Sequence, residues 1–288
     1  MNAAQLKNVS YIYSKDTPFE KTAVSGVDIT IESGLTTGVI GHTGSGKSTL
    51  SQMINGLIKP SEGEVFVLGK NIWDEPKKIK QVRFRVGLVF QYPEYQLFEE
   101  TVRADIAFGP KNMKLDKDEI ERRVLDAARF VGIPEDMLDR SPFDLSGGQK
   151  RRVAIAGVIA MRPDILILDE PAAGLDPRGR NEILSRISEY KKETDSTVVM
   201  ISHSMEDMAK YCDKILVMNR GKAFLYGTPS EIFSNAHLVE SVGLGVPQVT
   251  RLMQKLRDMG YDLSPSVYTV EDAAKEIIRA LGGGGNAS

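Results

Sequence analysis

The chain has 288 residues, 41% hydrophobic and 26% charged, the make-up of a globular protein long enough for one large domain or two unequal ones. Its formal net charge of -2 argues against a general nucleic-acid binder, because neutralising a phosphate backbone takes an excess of Lys and Arg. The single cysteine, Cys212, excludes an intrachain disulfide and a cysteine-based zinc site and fits a reducing compartment.

Taken in chain order, Met1 to Val9 lacks an apolar signal core. Val27 to Ile31 alternates apolar and polar residues, as a half-buried strand does, and Thr37 to Ile40 is a second strand running into a glycine-rich loop. Thr49, Leu50, Met53, Ile54 and Leu57 then fall at helical spacing, with Lys59-Pro60-Ser61-Glu62-Gly63 expected to end that helix. Glu64 to Leu68 alternates again, and Val86 to Phe90 is a short apolar strand. The middle is helical: Asp116, with Glu119 three residues on, caps a helix whose apolar face is Ile120, Val124, Ala127 and Val131, stopped by Gly132. Ser146 and Gln149 have capping-box spacing at the head of a helix over Lys150 to Met161. Strands return at Ile165–Leu168, Thr197–Ile201 and Lys214–Met218, and Asp176-Pro177 starts a helix with Pro at its first position.

Past Gly227-Thr228-Pro229 the pattern changes. Val249, Leu252, Met253 and Leu256 predict an amphipathic helix, and Thr269 caps another with Val270, Ala273, Ala274, Ile277 and Ile278 inward. The longest apolar run, Val153 to Met161, is about half the length a membrane helix needs, so the chain is expected to be soluble and to reach a membrane only through a partner.

Three segments carry chemistry. Gly41-His42-Thr43-Gly44-Ser45-Gly46-Lys47-Ser48, followed by Thr49, has phosphate-loop spacing between a strand and a helix. Its glycines let backbone N–H groups face phosphate oxygens, the following helix adds its positive end, Lys47 reaches the β- and γ-phosphates, and the Ser48 hydroxyl binds Mg²⁺. Ile165 to Leu168 delivers Asp169 and Glu170 at a strand end, where Asp169 orients the magnesium shell and Glu170 polarises an attacking water. Leu145-Ser146-Gly147-Gly148-Gln149 is a second anion-binding helix start. One ATP cannot be wrapped by two phosphate cradles unless a second subunit supplies one of them.

In this order the three segments resemble the ATPase subunits of ABC transporters, over roughly residues 4 to 235. The resemblance implies a P-loop NTPase of α/β class, with a RecA-like mixed-sheet core, an antiparallel β subdomain, a helical signature subdomain and a small C-terminal helical domain. It matches Gln91 to the Q-loop that contacts Mg²⁺ or water and Ala173-Gly174-Leu175-Asp176 to the D-loop. His203 matches the switch histidine that contacts the γ-phosphate, and Tyr13 the aromatic that stacks on adenine, with Tyr11 as the alternative for that place. The catalytic set is then Glu170, His203 and Gln91, and the metal set Ser48, Gln91 and Asp169. Ala172 departs from the Ser or Thr usual after Glu-Pro.

A finer resemblance rests on Thr17-Pro18-Phe19-Glu20, Phe90-Gln91-Tyr92-Pro93-Glu94, Gln96 to Val102, Phe108-Gly109-Pro110, Arg140 to Phe143 and Ser202 to Asp207. These are similar to the A-prime ATPase of energy-coupling factor (ECF) transporters, prokaryotic importers of vitamins and transition-metal ions. The resemblance implies a peripheral protein on the cytoplasmic face of the cell membrane. It would pair with a second, non-identical ATPase and dock a transmembrane coupling subunit on Gln96–Val102, acting only indirectly on a substrate-binding membrane subunit. A conventional ABC importer ATPase working as a homodimer is the alternative. Repair ATPases with an inserted coiled coil, two-domain translation ATPases and P-loop kinases fit less well. The expected organisation is a nucleotide domain over 1–239, with its helical subdomain at about 94–160, a dimerisation domain over 240–281, and a flexible tail over 282–288.

Overall fold

The computed structural model describes residues 1–264 and 266–282. Strands β1 (Asn2–Tyr13) and β2 (Lys21–Glu32) come first; β3 (Thr36–Ile40) then enters the glycine-rich loop and α1 (Lys47–Ile54) leaves it. Next are β4 (Glu62–Val67), β5 (Lys70–Asn71), α2 (Ile79–Arg85) and β6 (Val86–Val89). The helical stretch is α3 (Val102–Asn112), α4 (Lys117–Val131) and α5 (Gly147–Ile159). Then come β7 (Ile165–Asp169), α6 (Pro177–Thr194), β8 (Thr197–Ile201), α7 (Met205–Tyr211), β9 (Lys214–Asn219) and β10 (Lys222–Gly227). Helices α8 (Pro229–Ser234), α9 (Ala236–Ser241), α10 (Gln248–Asp258) and α11 (Val270–Gly282) follow. Gly282 is thus the last residue of α11, and the rest of the expected tail, 283–288, lies outside the described residues.

The strands form two sheets, an antiparallel one in the order β2-β1-β4-β5 and a larger one in the order β10-β9-β3-β8-β7-β6. In the larger sheet β9, β3, β8, β7 and β6 run parallel and β10 is an antiparallel edge. Parallel strands are covered on both faces, so their sequences read as continuous apolar runs, and β7 and β8 are buried throughout. Alternate residues still divide between two cores. Leu166, Leu168, Val198 and Met200 face the core shared with α3, α4, α5 and α6. Ile165, Ile167, Val199 and Ile201 face the core shared with the antiparallel sheet and α1. Met253, Leu263, Val267 and Ala273 form a separate small core around α10 and α11.

Local chemistry sets most of the helix ends. Asp116, Ser146 and Asp176 each accept a backbone hydrogen bond at a helix start, and Ser146 with Gln149 completes a reciprocal capping box. That box puts the helix start at Gly147 rather than Lys150. Glu119 does not return to its cap; its carboxylate pairs with Arg122 and Arg123 instead. Helix α1 ends earlier than its apolar spacing implies. Gly56, at φ +73°, turns the chain out of the helix and leaves Leu57 exposed. In α11 only Ala273 of the expected inward set is fully buried; Val270 and Ile278 are 71% and 70% exposed. The helix has too little protein beside it to cover all its apolar positions.

Candidate active site

The parallel strands bring the expected residues together by register. Val39 pairs with Ile201, Ile201 with Asp169, and Leu168 with Val89, so the carboxyl ends of β3, β8, β7 and β6 lie level. One or two residues beyond each end stand the glycine-rich loop, His203, Glu170 and Gln91, at the edge where ligands of such sheets bind. A single cleft is lined by Thr43, Gly44, Gly46, Lys47, Ser48 and Thr49 from the loop and α1, and by Gln91, Asp169, Glu170 and His203.

The loop is shaped by close backbone approach. A Cβ on Gly46, at φ +103°, would lie 2.5 Å from the Ala23 carbonyl oxygen, and one on Gly41 would lie 2.4 Å from that of Met218. Within the loop the Lys47 ammonium donates to the carbonyls of Gly41 at 2.6 Å and His42 at 2.9 Å. Burial lowers its pKa, opposed by Asp169 and Glu170 nearby. Ser45 is buried at the loop's base. The Ser48 hydroxyl donates to Asp169 Oδ2 at 2.7 Å, which puts two hard oxygens side by side, as a magnesium shell requires. Among the described residues no group of three His, Cys, Asp or Glu could hold a metal, so a cation here would draw further ligands from phosphate oxygens.

Glu170 is held unusually. Its backbone is left-handed, at φ +53°, while its N–H donates to the Ile201 carbonyl at 2.9 Å. Its Oε1 is buried without a hydrogen-bond partner, and His203 Nε2 stands 3.5 Å away. Burial, and then the neighbouring Asp169 carboxylate, push Glu170 up to about 7. Burial and Lys47 hold the His203 imidazole below its usual range. A strained residue with an unsatisfied carboxylate oxygen facing a phosphate cradle suits the handling of a water molecule.

Comparison with known proteins agrees with this geometry. The ABC transporter family pattern matches residues 24–173. An energy-coupling factor transporter ATP-binding protein EcfA2 from Caldanaerobacter subterraneus is 53% identical over 97% of this chain and 98% of its own. Its namesake from Clostridium acetobutylicum is 54% identical over 96% and 97%. The chain belongs to the energy-coupling factor branch of the ABC transporter ATPases. Among solved structures, cbiO1 from Clostridium perfringens, part of the ABC transporter complex cbiONQ, superposes with a TM-score of 0.74 at 41% identity. It covers 88% of this chain and 99% of its own. The dimeric ATP-binding cassette MJ0796, bound to ADP and Pi, superposes with a TM-score of 0.71 at 27% identity, over 78% of this chain and 98% of its own.

The remaining family positions of this ABC ATPase fall partly beside the cleft and partly away from it. Tyr13 is exposed beside the cleft, its hydroxyl 3.2 Å from Thr49 Oγ1 and its ring edge-on to Tyr11 at 4.8 Å. Tyr11 packs against the core, which leaves Tyr13 as the aromatic with a free face. His42 leans away from the cleft and bonds through Nε2 to the Val242 carbonyl at 2.5 Å. Ser146, Gly147, Gly148, Gln149 and Asp176 do not line the cleft; Gly148 borders a separate cavity with Arg151, Leu175 and Ile183. Ala172 packs against the larger core.

One residue of consequence went unread in the sequence. Arg151 is buried and forks onto the Glu94 carboxylate, with Nε 3.2 Å from Oε2 and Nη2 3.0 Å from Oε1. The signal was there: Arg151 precedes Ile155 and Ile159 at spacings of four, on the inward face of α5.

Proposed function

We propose that this ATPase hydrolyses Mg²⁺-ATP at the Lys47–Glu170 cleft and thereby powers prokaryotic uptake of vitamins or transition-metal ions through membrane partners. The reading rests above all on Glu170, a carboxylate with a buried, unpartnered oxygen, lining one cleft with the Ser48–Asp169 pair and the glycine-rich loop. In this reading loop amides from Gly41 to Thr49 bind the phosphates, Lys47 neutralises the outer ones, and Tyr13 stacks on adenine. Ser48, Asp169 and Gln91 would hold Mg²⁺, which offsets charge building on the leaving phosphate. Glu170 orients and polarises the attacking water, and His203 steadies the γ-phosphate. As the water oxygen bonds to phosphorus, the bond to the ADP oxygen breaks and the water proton passes towards the Glu170 carboxylate.

Ser146, Gly147, Gly148 and Gln149 stand outside this cleft, which supports a role in completing a partner's. The partner proposed is a second, non-identical ECF ATPase, with the helices of 240–281 stabilising the pair and Asp176 at the seam. A transmembrane coupling subunit would dock on Gln96–Val102, where Phe98 is exposed next to the exposed Tyr95, and pass the closure indirectly to a substrate-binding membrane subunit. Among the described residues no helix is long and apolar enough to cross a membrane, which accords with a peripheral place on the cytoplasmic face.

Mutation of the water-handling residue tests this reading. Glu170→Gln should cut turnover by about a thousandfold while the ATP-bound pair accumulates, measured as ATP-dependent dimer mass with the neighbouring ATPase. Unchanged turnover in that variant, or intact ATP affinity in Lys47→Ala, would overturn it.

A further inference from the structure

The segment after Gln91 carries polar anchors at both ends. At one, the Glu94 carboxylate takes the fork from Arg151 on α5. At the other, the N–H groups of Phe98 and Glu99 donate to Asp105 Oδ1 on α3, at 3.3 and 3.4 Å. Both anchors lie on the helical stretch, so the aromatic surface at 92–98 is fastened to α3 and α5.

Arg151 has a third attachment. Its Nη1 donates to the carbonyl of Ala173, in the turn between Glu170 and the α6 cap Asp176. One planar guanidinium, its side chain 5% exposed, therefore joins the segment after Gln91, the helix that begins at Ser146, and the turn that follows the water-handling carboxylate. Guanidinium geometry is fixed, so moving Glu94, Ala173 or α5 relative to the others strains or breaks the bonds to Glu94 or Ala173 unless all move together. Lysine has neither the fork nor the reach to satisfy both at once.

We propose that Arg151 is a positioning residue for ATP turnover, holding the segment after Gln91 and the Ser146 helix in register with the Ala173 turn. A push at the aromatic surface reaches the Ser146 helix through Glu94 and the Glu170 loop through Ala173. Arg151 itself lines a different cavity from the nucleotide cleft, so it acts on closure and not on nucleotide binding. The inference rests on the proposed reading of the cleft as an ATPase site.

The test is ATP hydrolysis by the complex extracted from membranes with its partners. Arg151→Met should lower kcat about tenfold or more while the KM for ATP stays within about twofold. Arg151→Lys should recover part of that kcat, because it keeps a cation opposite Glu94. Glu94→Gln, which keeps shape and an acceptor oxygen, should fall between wild type and Arg151→Met, and it decides the matter alone if Arg151→Met does not fold. Wild-type kcat in Glu94→Gln and Arg151→Met, or losses shared equally by kcat and KM, would overturn the link. Lys47→Ala measured beside them separates the two readings. If it abolishes turnover while Arg151→Met does not, only the link falls; if it leaves turnover intact, the ATPase reading falls as well.

Discussion

At the scale of residues, the site works by pairing groups that burial would otherwise make costly. Ser48 answers Asp169, two loop carbonyls answer Lys47, and the carboxylate of Glu170, like the hydroxyl of Ser45, keeps an oxygen unanswered. Asp105 is a related case outside the cleft. Its carboxyl is buried, which raises its pKa above the usual aspartate range despite the N–H groups of Phe98 and Glu99. Between its ordinary and its raised value the folded chain holds a proton that the unfolded chain has lost. The stabilisation this gives is complete below the ordinary value and is lost as pH rises through the raised one. Asp105→Asn keeps an acceptor for both N–H groups and removes the titration. Urea midpoints measured across that range should therefore decline less with pH in the variant than in the wild type.

At the scale of elements, the cleft depends on how closely helices approach the large sheet. Strand β3 carries Gly38 under α7, the helix that follows His203. A Cβ there would lie 2.5 Å from Met208 Sδ and 2.8 Å from Cys212 Sγ. Gly38→Ala should destabilise the fold by about 1–3 kcal/mol by overpacking and loosen α7. Cys212 gives the readout. It is the sole cysteine, it is buried, and burial pushes its thiol far above the usual range, so it should resist alkylation until the chain opens. Faster labelling of Cys212 in Gly38→Ala would register the displaced helix; unchanged labelling and stability would refute this account of the packing.

The sequence disclosed what is contiguous and concealed what is made through space. The glycine-rich loop, the Asp169-Glu170 strand end and the Ser146 capping box each announce their chemistry within a few residues, and each folds as its spacing implies. The convergence of Gln91, Asp169, Glu170 and His203 follows from parallel register, which sequence order alone does not state. Arg151 reads as one more cation in a basic run, because its partner lies 57 residues away. Leu57 and α11 misled for a shared reason: helical spacing says which side is apolar, whereas burial depends on the glycine that ends the helix or on what stands beside it.

At the scale of the whole molecule, two features bear on the proposed pairing with a second ATPase. The Ser146 helix start stands apart from the nucleotide cleft, and α11 presents Val270, Ile278 and Leu281 to solvent. An outward apolar stripe on a terminal helix suits burial against the second ATPase proposed above. Ile278→Glu should weaken the ATP-dependent pair about tenfold, roughly the 1.4 kcal/mol of one buried contact. ATP affinity of the single chain should stay as it was, because Ile278 does not line the cleft. Analytical ultracentrifugation with and without ATP checks the first expectation, and nucleotide titration the second. A dimer of undiminished strength would assign the stripe no part in pairing.

The contact between His42 and the Val242 carbonyl has a consequence for modularity. A residue of the nucleotide loop is fastened to the lead-in of the terminal helices, 200 positions further along the chain. The appendage is therefore tied to the loop through space as well as along the chain. A graft joined upstream of Val242 replaces the backbone that His42 grips, and with it one boundary of the loop. Movement of the terminal helices is therefore expected to be felt at the loop, and a change at His42 at the start of those helices.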